Sequence, residues 1–173
     1  MLNSVLRLYR PIMPISTCWK PVSSSLANVN CGLLATNATS ARNWDRIAGD
    51  EGIDKIHAPV ARDVAVFGQG IEKASVIVDA LLGTGARGAL RDPIRSAVEL
   101  IGRARGTGIP VVAIDTPTAV DLSSGEPSEP AVQADLTVTF HRPKTGLLAR
   151  RGAAHAGKVL VAPIGIPAEA DRG

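Results

Sequence analysis

Apolar positions along this chain follow two rhythms. Short aliphatic runs stop at a carboxylate or a loop: Ser75-Val76-Ile77-Val78-Asp79, Pro110-Val111-Val112-Ala113-Ile114 before Asp115, Leu136-Thr137-Val138-Thr139-Phe140, and Lys158-Val159-Leu160-Val161-Ala162. Runs of this length and β-branched content predict strands buried under helices. Between the first two, Ile94, Ala97, Val98, Ile101 and Ala104 recur at helical spacing and predict one apolar helix face. Asp92 is the predicted N-cap, with Pro93 in the first turn, and Gly106 and Gly108 end the helix. This strand–helix–strand unit predicts a right-handed parallel crossover.

The flanking pattern is less regular. Thr39 or Ser40 is placed to cap a short helix over Ala41–Ala48, stopped by Gly49. Residues 50–70 read as loop with one short strand at Val64–Phe67. Residues 115–130 form a Pro, Ser and Gly-rich loop longer than a connection requires, hence a candidate functional loop. Gly146–Gly157 has room for one or two helical turns. The sum is an α/β fold with a mostly parallel sheet. Ligands in such folds bind beyond the carboxyl ends of the strands.

Composition narrows the function classes. The 173 residues suit one domain. With 45% hydrophobic but 3% aromatic residues, the core is expected to be Val, Ile, Leu and Ala. The net charge of +3 is scattered, and no Lys/Arg block interleaves with aromatics, so nucleic-acid binding is not expected. No run approaches the ~18 apolar residues of a membrane span. Cys18 and Cys31 lack metal spacing and imply no disulfide framework, which favours a reducing, cytoplasmic setting. The first 44 residues contain no Asp or Glu but carry Arg, Ser and Asn. A mitochondrial transit peptide has that composition. A disordered extension, or a start that does not belong to the folded domain, has it too. Pro11 and Pro14 break any long amphipathic helix there. The expected division is an extension over 1–40 and a domain over 41–173.

Candidate chemistry sits at the predicted strand ends. Gly83, Gly85 and Gly88 fit G-x-G-x-x-G after a strand. That pattern lets backbone N–H groups approach phosphate, but it has little specificity alone. Ala80-Leu81-Leu82 separate the strand from the first glycine, unlike a dinucleotide loop, and Asp79 stands at the strand end. Asp79 and Asp115 end adjacent predicted strands. Such a pair calls for a cation or a shared proton between them. Thr118 offers a hydroxyl oxygen to a hard cation, or to its own turn. Asp121 shares that loop. Lys144 reads either as a phosphate contact or as a solvated loop charge. His57, His141 and His155 have no partner at metal or nucleophile spacing.

Taken in order, these pieces resemble one family. They are Asp79-Ala80-Leu81-Leu82-Gly83-Thr84-Gly85, then Asp115-Thr116-Pro117-Thr118-Ala119-Val120-Asp121, then Ala134–Phe140 with Pro143-Lys144-Thr145-Gly146, then Ile164-Gly165-Ile166-Pro167. The set resembles the NAD(P)H-hydrate epimerase family, the YjeF N-terminal domain, with an atypical N-terminal part. The resemblance implies a Rossmann-like three-layer α/β/α sandwich, incomplete on its N-terminal side. It implies an isomerase that interconverts the R and S hydrates of NADH and NADPH, with K⁺ as cofactor. Asp79 and Thr118 are the implied K⁺ ligands. Gly83, Thr84, Gly85, Ala86, Arg87, Gly88 and Ala89 are the implied phosphate-holding segment. Asp115 is the implied substrate-contacting, catalytic acid. An ADP- or ATP-dependent NAD(P)H-hydrate dehydratase is the implied functional partner, and a homodimer the implied assembly. Two departures stand out. The family's Asn-Asn-Gly-Gly-Asp loop is not in this sequence, and Thr118-Ala119 replaces Ser-Gly, adding a Cβ where positive φ is at issue. The alternatives are a non-catalytic module that binds nucleotide or protein, an NAD-dependent Rossmann enzyme, and one piece of a two-domain repair enzyme.

Overall fold

The computed structural model describes residues 17–21, 29–33, 45, 53–83 and 88–171. Its strands are β1 (Thr17–Pro21), β2 (Val29–Leu33), β3 (Ile53–His57), β4 (Ala74–Asp79), β5 (Val111–Ile114), β6 (Leu136–Phe140) and β7 (Lys158–Ala162). Its α-helices are α1 (Ala61–Phe67), α2 (Ile94–Gly106), α3 (Thr145–Leu148) and α4 (Arg150–Ala156). The sheet order is β3-β2-β1-β4-β5-β6-β7. Strand β1 runs antiparallel to both neighbours, and the other pairings are parallel. The fold is α/β, as the strand–helix pattern predicts, and Rossmann-like, as the family resemblance implies.

One face of the central strands is covered. Ile77 and Val111 are in register across β4 and β5 and both are 0% exposed. Ala97, Val98, Ile101 and Ala104 of α2 and Val64 and Phe67 of α1 join them in one core cluster. Helix α4 lies on the same face, because the buried Thr137 hydroxyl donates to the Ala156 carbonyl (2.7 Å) and Thr137 is in register with the core residue Ala113. Val76, Val78, Val112 and Ile114 alternate onto the opposite face and are half-buried.

Four expectations are corrected. Val64–Phe67 is the end of a helix, not a strand. Val64 and Phe67 are buried while Ala65 and Val66 are exposed, a three-residue period that a strand cannot give. Ile53–His57, read as loop, is a strand beside β2. Asp92 lies one residue before the N-cap, which is Pro93; its Oδ1 still accepts from the Ser96 backbone N–H at 3.2 Å and the Ser96 hydroxyl at 2.6 Å. The segment 1–40 was expected outside the domain, yet Thr17–Pro21 and Val29–Leu33 are in the sheet. Their pairing comes from β4 and β3 rather than from a local pattern, and it sets Cys18 opposite Cys31. Of the helix expected over Ala41–Ala48 only Asp45 is described, and it is helical and exposed; the rest lies outside the described residues.

Glycines seat the long loop. A Cβ on Gly146 would run into the Asp121 carbonyl oxygen, and one on Gly152 into the Gly146 carbonyl oxygen. With those Cβ atoms absent, the Gly146 N–H donates to the Leu122 carbonyl (2.7 Å). Helices α3 and α4 thus hold residues 121–125 against the sheet end.

Candidate functional site at the strand ends

The loop after β5 is folded, not slack. Asp115 takes φ 66° and Ala119 φ 72°. Asp tolerates this left-handed region through its short polar side chain, whereas for Ala it is strained. The Ser128 N–H donates to the Ala119 carbonyl and the Val132 N–H to the Thr118 carbonyl, at 2.8 and 3.0 Å. Asp121 closes the tip, its Oδ1 accepting from the backbone N–H groups of Ser123 and Ser124 (2.9 and 2.8 Å). That is an Asx turn.

The two strand-end carboxylates have separate partners. Asp79 is fully buried. Its Oδ2 accepts from the Thr118 N–H at 2.7 Å, and its Oδ1 from the Thr118 hydroxyl at 2.7 Å and the Leu81 N–H at 3.3 Å. Burial pushes the carboxyl up to about 6, against the lowering effect of the bonds from Thr118 and Leu81. Asp115 faces β6. Its Oδ1 accepts from the Thr139 hydroxyl and the Phe140 N–H, each at 3.1 Å, and forms an ion pair with Lys144. No hydrogen bond reaches its Oδ2 among the described residues. The counter-charge bonded to Asp115 is Lys144, a partner that the strand-end pair alone did not suggest.

Thr118 does not cap its own turn. It bonds Asp79 and also accepts from the Leu82 N–H (3.2 Å), tying the two βα loops together. A cleft of about 420 Å³ opens beside this tie, lined by Leu82, Gly88, Ala89, Arg91, Ala119 and Asp121 among others. Gly88 takes φ 81°. Gly83 is exposed. Thr84, Gly85, Ala86 and Arg87 lie outside the described residues. Asp79, Thr118 and Asp115 are not among the residues that line it. Lys144 was left open by the sequence. Its partner becomes legible only once Ile114 and Val138 are in register, which sets Asp115 beside Thr139. His155 Nδ1 meets the Val132 carbonyl (2.9 Å), a packing contact.

The donor set bears on K⁺. Asp79 is a buried carboxylate with no cationic side chain bonded to it among the described residues, and Thr118 adds a hydroxyl oxygen. All-oxygen donors with an uncompensated charge suit a hard cation. Among the described residues no group of three or more His, Cys, Asp or Glu forms a metal cluster. Nor is any described helix long and apolar enough to cross a membrane.

The sheet with its loop-held carboxylates and adjoining cleft defines an α/β protein whose candidate ligand site lies at the carboxyl ends of β4 and β5. The chain matches the family described as YjeF-related protein N-terminus over residues 34–146, and it belongs to that family. It is similar to the bifunctional NAD(P)H-hydrate repair enzyme Nnr of Pyrobaculum aerophilum, with 50% identity over 98 residues, 57% of this chain and 19% of that protein. It is similar to the NAD(P)H-hydrate epimerase of Cenarchaeum symbiosum, with 43% identity over 97 residues, 56% of this chain and 43% of that protein. The chain therefore spans less than half the length of these relatives. The fold matches that of the yeast protein ynu0 with a TM-score of 0.59 at 19% identity, over 80% of this chain and 56% of that one.

Proposed function

We propose that this chain is an NAD(P)H-hydrate epimerase that interconverts the R and S hydrates of NADH and NADPH. The observation that carries the reading is the Asp115 carboxylate. Three donors hold one oxygen, and the other has no described partner. That arrangement sits in a chain similar to proteins named NAD(P)H-hydrate epimerase.

The chemistry follows from the substrate. The hydrated ring carbon carries a hydroxyl next to a ring nitrogen. The hydroxyl leaves with a proton as water, and the nitrogen lone pair stabilises the cation. Water then adds to the other ring face and gives up a proton. One proton is given and one taken, with no change of oxidation state. Asp115 Oδ2 exchanges that proton, and the carboxylate charge faces the developing cation. The segment Gly83–Ala89 holds the phosphates, with backbone N–H groups as donors. Asp79 and Thr118 would hold K⁺, which would supply positive charge beside a buried carboxylate. An ADP- or ATP-dependent dehydratase would consume the S hydrate; the bifunctional names of similar proteins support that partnership.

The test supplies pure R hydrate and an excess of S-specific dehydratase, and follows NADH recovery with and without K⁺. Recovery above the spontaneous rate, greater with K⁺, is expected. Recovery at the spontaneous rate sinks the assignment and leaves a non-catalytic binding module.

A further inference from the structure

We propose that Lys144 is the positioning residue of this site: it acts through Asp115, turning the unbonded carboxylate oxygen toward the ligand. The proposal rests on the epimerase reading for its rate effects, but its geometry stands alone. An ammonium group has three N–H donors. Lys144 Nζ meets three acceptors: Asp115 Oδ1, Thr139 Oγ1 at 3.1 Å and the Phe140 carbonyl at 3.1 Å. Its donors are therefore spent within the protein, and it is not a phosphate ligand. The Lys144 and Asp115 side chains are 22% and 21% exposed, so the pair is largely withdrawn from water.

Both ends of the lysine are fixed. Its backbone is the N-cap of α3, two residues before Gly146. Gly146 is seated against Asp121 and Leu122 in the long loop. Its head is fixed by the end of β6 and by Asp115. Thr139 completes the clamp, accepting from Lys144 and donating to Asp115. With Thr139, Phe140 N and Lys144 all gathered on Oδ1, carboxylate rotation would cost three bonds at once. A planar guanidinium cannot aim at three acceptors grouped around one point as an ammonium does. Arginine is therefore a poor substitute.

The experiment is steady-state kinetics on the R hydrate of NADH for the full chain, Lys144→Met, Lys144→Arg, Asp115→Asn and the double variant, each checked by thermal melting. Lys144→Met is expected to lower kcat about a hundredfold with KM within about threefold, as a misplaced catalytic group does. Lys144→Arg restores less than about a tenth of the lost rate. Lys144→Met adds nothing in the Asp115→Asn background, because it acts through that residue. A kcat near that of the parent in Lys144→Met overturns the proposal, and so does an additive loss in the double variant. If Lys144→Met does not fold, Lys144→Arg carries the same comparison. If the parent itself shows no epimerase activity, the functional reading alone has failed. Crystal structures of the parent and Lys144→Met then decide the positioning claim: Asp115 leaves Thr139 Oγ1 and Phe140 N in the variant if it is right, and keeps both if it is wrong.

Discussion

Two aspartates end neighbouring strands of this sheet, and they do different work. Asp79 at the end of β4 is fully buried and is held by neutral donors through both oxygens. Asp115, just past β5, is partly exposed and held through one oxygen, with a lysine as counter-charge. Position in the sequence makes them look alike; their donors separate them. A carboxylate satisfied on both oxygens is an anchor for the loop that bonds it. A carboxylate satisfied on one is oriented for a ligand.

The largest effect should fall on Asp115. Asp115→Asn is expected to lower the epimerase rate by about 10²-fold or more, the range for a lost proton-exchanging group, while its melting temperature stays near that of the parent. A rate like the parent's would erase the contrast.

Asp79 should report on stability instead. Its carboxyl is raised to about 6 by burial, so the folded state binds that proton more tightly than the unfolded chain. The stabilisation is therefore fully present below the unfolded value near 4 and is lost as pH rises through about 6. A shift of roughly two units corresponds to about 3 kcal/mol. Denaturant titrations of the parent should show this loss between pH 4 and 7, and Asp79→Asn should lack that component. Added K⁺ should recover stability above pH 6 in the parent and not in the variant. A K⁺ effect of equal size in both would remove Asp79 as a ligand.

Smaller effects sharpen the loop side. Thr118→Val leaves the Leu82 N–H and one Asp79 oxygen short of a partner and should cost about 1–3 kcal/mol in chemical denaturation; Thr118→Ser, which keeps the hydroxyl, should cost much less. Ala119→Gly relieves the left-handed backbone at φ 72° and should stabilise by about 1 kcal/mol, read as a raised melting temperature. A destabilised Ala119→Gly would mean that the Ala119 methyl packs more than its backbone strains.

Legibility followed how local each signal was. The runs at β4, β5, β6 and β7 were plain because strands buried under helices are written as aliphatic stretches. Helix α2 was plain because thirteen residues give the helical period room to show. Helix α1 has only seven residues, and its Val64-Ala65-Val66-Phe67 end looks β-like until Val64 and Phe67 turn inward together. Strands β1 and β2 carry no period of their own and are set by pairing. At the site, Asp79, Thr118 and Asp115 were visible as motif residues, and the strained Ala119 was visible as a departure from glycine. The Lys144–Asp115 ion pair was not visible, since it joins residues 29 apart that meet only through the β5–β6 register.

The most direct test compares Asp115→Asn with Asp79→Asn in one R-hydrate epimerase assay containing K⁺, with protein amounts matched by folded fraction. The account predicts that Asp115→Asn falls to the spontaneous rate with its stability intact, while Asp79→Asn loses stability and keeps measurable turnover per folded molecule. Full activity in Asp115→Asn would contradict it.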